Sequence, residues 1–215
     1  MRYDLIESLR QSYPVTLMCR VLEFKVTTNS KHNLPIVPNI LEREFTVRAL
    51  GKVWVSDMTY IPTDEGWLYL AGIKDLFNGE LVGYAMNERM TKSLVMQALF
   101  RAAASKYPNQ GLIAHSDRGS QYCAHDYQKL LQQFGITASM SRKGDCYDNA
   151  PMESFWGILK TELVHHRRFK TRQQAIAEIT EYIEIFYNRQ RKQEKLSYLS
   201  PVQFSQQYHA NLRTA

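Results

Sequence analysis

Cysteine is scarce and scattered in this chain. Cys19, Cys123 and Cys146 are the three among 215 residues, and no CxxC pair or Cys/His cluster joins them. That pattern speaks against a zinc module or a disulfide framework and predicts free thiols in a reducing compartment. Long apolar runs are also missing. None approaches the roughly 18 residues that a membrane helix needs, and no leader pattern opens the chain. The expectation is a soluble, cytoplasmic protein with no membrane partner. Acidic residues are in deficit, 21 against 27 Lys and Arg, for a net charge of +6. The imbalance is local: residues 51–140 carry 8 basic and 8 acidic side chains, whereas 141–215 carry 12 basic and 8 acidic. A basic second half suits a polyanionic partner such as nucleic acid.

What is present reads as an ordinary globular composition, 44% hydrophobic and 22% charged. Residues 3–24 carry two apolar stripes, Leu5, Ile6 and Leu9, then Val15, Met18, Val21 and Leu22, and are expected to be helical. Residues 25–52 lose periodicity and read as a linker, with KVTTNSKHNLPIVPN rich in turn formers. From Val53 the pattern is strand-like: VWVSDMTYI, then Trp67 to Ile73, then Leu81 to Met86, separated by the turns TDEG and FNGE. Helices are expected over 93–106, 122–134 and 171–187, short strands over 111–115 and 136–140, and a short last helix from Pro201. This order predicts an α/β fold, a ribonuclease H-like mixed five-stranded sheet flanked by helices, with a short helical N-terminal segment. A right-handed crossover would set the fourth strand beside the first.

Three acids stand out on those elements. Asp57 lies amid Val53, Trp54, Val55, Met58 and Tyr60, and alternation points its carboxylate where Val53 and Val55 point. A carboxylate there is costly unless a cation offsets it, either a distant arginine or a metal. Asp117, in HSDRGSQY, closes a short strand, where it is a metal ligand or an Asx-turn residue. Glu153, in SMSRKGDCYDNAPMESFWGILKTE, falls in the first turn of a helix that Asn149 caps and Pro151 opens. Met152, Phe155, Leu159 and Leu163 form that helix's apolar stripe, while Glu153 and Lys160 share another face beside Gly157. Two strand aspartates and a helical glutamate with basic neighbours suggest a divalent-metal site acting on a phosphodiester. Arg142, Lys143 and Lys160 are candidate phosphate contacts. The runs Arg167, Arg168, Lys170, Arg172 and Arg189, Arg191, Lys192, Lys195 either follow DNA or solubilise the surface. His115 reads as a packed strand histidine.

WVSDMTYI, LYLAGIKDLFNGELVGYAM, HSDRGSQY, SMSRKGDCYDNAPMESFWGILKTE and YNRQRKQEKLSYLSPVQF together resemble the second-frame transposase (OrfB) of the insertion-sequence-three family, within the retroviral-integrase superfamily. The likeness runs from about Asn29 to Phe204. It implies that Asp57, Asp117 and Glu153 are the catalytic acids and the ligands of Mg²⁺ or Mn²⁺, as a pair of ions, and that Lys160 touches DNA. The spacing of 35 residues between Asp117 and Glu153, with Lys160 beyond, separates this reading from a plain ribonuclease H-type nuclease. The activity implied is strand cleavage and strand transfer in DNA transposition. The partners implied are transposon ends, target DNA, further copies of the chain on that DNA, and an upstream-frame helix-turn-helix protein, in a bacterial, nucleoid-associated setting.

The resemblance divides the chain into a helical remnant over 1–24, a linker over 25–52, an integrase-type core over 53–170 and a helical extension over 171–215. Two departures qualify it. The opening IESLRQSYPVTLMCRVL resembles the start of the family's N-terminal segment, but the linker-like stretch follows almost at once, as though an internal piece were deleted. Gln193 stands where the family usually has histidine. The alternative reading is therefore an inactive remnant that binds DNA or full-length transposase.

Overall fold

The computed structural model describes residues 32–143 and 146–214. The helical remnant expected over 1–24 lies outside these. Five strands form one mixed sheet: β1 (Val53–Thr63), β2 (Gly66–Asp75), β3 (Leu81–Asn87), β4 (Ile113–Ser116) and β5 (Thr137–Met140), in the order β3-β2-β1-β4-β5. The first three pair antiparallel through the two expected turns, and β4 and β5 join β1 in parallel. The helices are α1 (Lys92–Lys106), α2 (Ser120–Cys123), α3 (His125–Gln133), α4 (Ala150–Glu162), α5 (Arg172–Glu181) and α6 (Pro201–Thr214).

Alternation along β1 divides the core in two. Val53, Val55 and Ile61 face a layer made by Met152, Phe155, Trp156, Leu159, Ile179 and Ile183. Trp54 and Met58 face the opposite layer, made by Leu94, Leu99, Tyr122, Tyr127 and Leu131. Each large aliphatic or aromatic side chain buried this way contributes about 2–3 kcal/mol. Helix α1 approaches β3 so closely that a Cβ at Gly83 would stand 2.5 Å from the Ala98 carbonyl oxygen and 2.6 Å from Ala102 Cβ. Glycine at that strand position is what lets the helix lie down on the sheet.

Three expectations change. The single helix over 122–134 is two pieces, because Ala124 is extended with ψ 135. The helix over 171–187 passes at Tyr182–Tyr187 into a π turn. Its wider turn shifts the phase, so Tyr187 is buried at 1% exposure while its neighbour Phe186 is 41% exposed. The last helix, expected to be short, has 14 residues. The described part of the expected linker is irregular but fastened. The Ile40 and Leu41 amides donate to Ser139 Oγ, and Leu41 is buried.

Candidate functional site

The parallel register ends with Val55 opposite His115, and two residues beyond each lie Asp57 and Asp117, near enough for the Asp117 charge to act on Asp57. Helix α4 crosses beneath β1 and delivers Glu153 from its first turn. Burial first, then the charge of Asp117, and with a smaller push that of Glu153, raise the Asp57 carboxyl to about 8. Burial also raises Glu153. Tyr122 lies fully buried close by, its hydroxyl pushed far up by burial and then by Asp57 and, less strongly, Asp117. The three acids thus act on one small region that has more negative charge than local cations offset.

They are not drawn together into a closed ligand cage. Among the described residues, no three His, Cys, Asp or Glu side chains form such a group. The Asp57 Oδ2 accepts the Trp156 indole N–H at 3.0 Å, Asp117 Oδ1 accepts the Gly119 amide at 2.9 Å, and Glu153 is exposed. The donors are carboxylate oxygens, the hard ligands that Mg²⁺ and Mn²⁺ prefer. The raised Asp57 records a missing counter-charge. The residues therefore fit a divalent cation.

Lys160 lies along the same helix with its Nζ 5.1 Å from the Tyr60 ring centroid. Burial lowers its amine, and the Asp57 charge partly restores it, so it belongs to the same neighbourhood. A side chain at Gly157, between them, would meet nothing within 4 Å, which leaves the surface open to a large ligand. Lys143 is exposed. Arg142 is differently employed: its Nη2 and Nε reach the two Asp148 oxygens at 2.8 and 3.1 Å. His115 is buried between Ser139 Oγ and Ser141 Oγ, and burial lowers it to about 4, so it is a neutral packing residue.

Several arginines of the basic runs are fasteners. The Arg172 guanidinium donates to the Glu65 and Trp67 carbonyls, holding the start of α5 on the β1–β2 turn. Arg191 pairs with Glu162 at 2.7 Å, and Arg168 with Asp64 at 3.1 Å.

Three positioning residues escaped the sequence reading. Asp148, with its side chain fully buried, accepts from Asn39, Arg43, Arg142 and the Arg142 amide. Asn149 begins α4 without a side-chain cap. Its Nδ2 donates instead to the Ser56 carbonyl at 3.1 Å, tying the helix to the residue before Asp57. Trp156 bonds Asp57 itself. The YDNAP run signalled a helix start. Nothing in it could name Arg43, 105 residues away, or Ser56, 93 away.

The integrase core domain family matches residues 48–146 and 153–208, which include all three acids. An uncharacterized 31 kDa protein of insertion element IS600 from Shigella sonnei is 59% identical over 187 residues, 87% of this chain and 69% of that protein. Transposase InsF of insertion sequence IS3A from Escherichia coli (strain K12) is 42% identical over 182 residues, 85% of this chain and 63% of that protein. The chain belongs to the insertion-sequence-three transposases, with an integrase-like catalytic core. It spans roughly two thirds of these relatives' length. Among solved structures, the HTLV-2 integrase catalytic core domain in complex with magnesium superposes with a TM-score of 0.56 at 16% identity, covering 72% of this chain and 95% of that one. At that identity the likeness bears on fold, and it is the ribonuclease H-like fold expected from element order. Family membership and fold make the chain a polynucleotidyl-transferase-type enzyme and favour that reading over the inactive remnant. No helix among the described residues is long and apolar enough to cross a membrane.

Proposed function

We propose that this chain cleaves and joins DNA strands at transposon ends and target sites, with Asp57, Asp117 and Glu153 holding a pair of Mg²⁺ or Mn²⁺ ions. The observation that carries the reading is that buried Asp57 feels the charges of both Asp117 and Glu153, Asp117 lying just beyond the strand that pairs in parallel with β1. When bound, such ions activate a water or 3′-hydroxyl and stabilise the leaving 3′-oxygen.

The chain's own residues supply position and charge. Asp57 is aimed by the Trp156 N–H, and Asp117 is fixed by the Gly119 amide. Glu153 stays on an exposed first turn that can close toward the other two. Lys160, two helical turns on, presents a cation to the phosphodiester, and Lys143 extends the basic surface. Arg142 contributes from behind, through Asp148. The open ground at Gly157 gives a duplex access to the acids. We assign the catalytic work to residues 53–170, approached through a linker over 25–52 and braced by the extension over 171–215. The working form is a homo-oligomer on nucleoid DNA, with an upstream-frame helix-turn-helix protein as partner.

The test is a cleavage and strand-joining assay with the purified chain, Mn²⁺ or Mg²⁺, and DNA carrying element ends. The expected outcome is metal-dependent product that Asp57→Asn, Asp117→Asn and Glu153→Gln each abolish while DNA binding is retained. Equal product from Glu153→Gln and wild type would refute the assignment.

A further inference from the structure

At the start of α4, around the Pro151 carbonyl, cations gather without enough anions. Lys74, near the end of β2, is 5% exposed, and its Nζ donates to the Pro151 carbonyl at 3.3 Å. Among the described residues, no carboxylate pairs with it or with Lys195. The charges of Lys195 and Arg191 face it from the segment after the π turn. Arg191 is neutralised by Glu162. Lys195 Nζ and the Gln193 amide both lie over the β2–β3 turn, where a Cβ on Gly79 would stand 3.4 Å from Lys195 Nζ and from Gln193 Oε1. The Tyr187 hydroxyl closes the floor by donating to the Gly79 carbonyl. The other half of the Gln193 amide, Nε2, is buried with no hydrogen-bond partner.

The groups gathered here are chiefly donors: the Lys74 ammonium, which has a single carbonyl as partner, the exposed Lys195 ammonium, and the Gln193 N–H, which lies against the Tyr187 hydroxyl without a well-formed bond. A buried cation without an anion is costly. A species that suits such donors is a tetrahedral oxyanion, with several acceptor oxygens and a negative charge.

We propose that Lys74, Gln193 and Lys195 form a binding site for a phosphate oxyanion, separate from the carboxylate trio and packed against the base of the helix that bears Glu153. Burial, with Lys195 and Arg191 adding to it, lowers the Lys74 amine to about 7, so an arriving anion also restores its proton. The occupant is either a phosphodiester of the DNA backbone or free phosphate. Only the first source rests on the DNA-processing reading above. With DNA as occupant, the site anchors the duplex to the catalytic helix from behind and sets the angle at which it passes the acids.

Calorimetric titration of the full chain with inorganic phosphate tests this. The expected result is one saturable site, weakened about tenfold or more in Lys195→Gln and in Lys74→Met, and not weakened in Glu153→Gln. Lys195 is exposed, so Lys195→Gln keeps the test valid if Lys74→Met does not fold. Non-saturable binding by wild type, or unchanged affinity in Lys195→Gln, overturns the proposal. A DNA duplex of arbitrary sequence that displaces phosphate identifies the backbone as occupant, and one that binds without displacing it identifies free phosphate. A chain that takes up phosphate but never cleaves DNA keeps this site and loses the catalytic assignment. One that cleaves DNA but shows no saturable phosphate binding does the reverse.

Discussion

Asp57 occupies a strand position where its neighbours are Val53 and Val55, and the chain compensates with hydrogen bonds from the Met58 backbone and the Trp156 side chain. Both lower its carboxyl against burial and two like charges, and the Trp156 N–H is the one a side-chain substitution can remove. Trp156→Phe keeps an aromatic ring beside Phe155 and deletes the donor together with the part of the indole that packs on Gly72. It is expected to lower metal-dependent cleavage about 10- to 100-fold, in line with second-layer ligand changes, with a thermal midpoint lowered by the lost ring volume but a folded chain. Loss of the fold without selective loss of activity would contradict the positioning role. At this scale Asp57 stood out in the sequence, because a carboxylate in an apolar strand is an anomaly in any chain. The residues that aim it did not. Tryptophan in an amphipathic helix reads as core, and Trp156 is indeed core, with a polar edge that only the fold can direct.

The elements show how the catalytic helix is held. Asp148 binds two arginines and an asparagine just before α4, and those bonds keep its carboxyl far below the usual range despite burial. A depressed carboxylate contributes stability that is complete above its unfolded value and is lost as pH falls toward the folded one. Asp148→Asn is expected to cost about 2–4 kcal/mol near neutrality. Chemical denaturation across pH should show the gap to wild type narrowing below about pH 4. A constant gap would mean that the charge is idle. On the opposite face, Gly83→Ala would drive a methyl into the Ala98 carbonyl. It is expected to cost about 1–3 kcal/mol, read as a lower denaturation midpoint at unchanged slope. Most elements were legible within a few residues, since strand alternation and helical stripes are strong over their lengths. The break at Ala124 and the π turn at 182–187 were not, because each is a backbone adjustment to packing that leaves no periodic trace.

At the scale of the molecule, the positive excess of residues 141–215 divides into arginines that fasten elements and lysines left for a partner. Arg172, Arg191 and Arg168 are engaged with carbonyls or carboxylates, while Lys143 is exposed and Lys160 lies beside the acids. The charge pattern announced a polyanion, yet it could not sort braces from contacts, because pairing depends on residues distant in sequence. DNA affinity is expected to fall steeply with salt, and Lys160→Gln to reduce the slope of log affinity against log salt by about 1. An unchanged slope would place Lys160 off the backbone. The central claim is that Asp57, Asp117 and Glu153 together hold a divalent cation. Anomalous diffraction from crystals soaked in Mn²⁺ tests it most directly. The account predicts a peak between Asp57 and Asp117, with Glu153 drawn toward it, that disappears in Asp57→Asn. A peak elsewhere, or none between those aspartates in crystals of a chain that cleaves DNA with Mn²⁺, would contradict it.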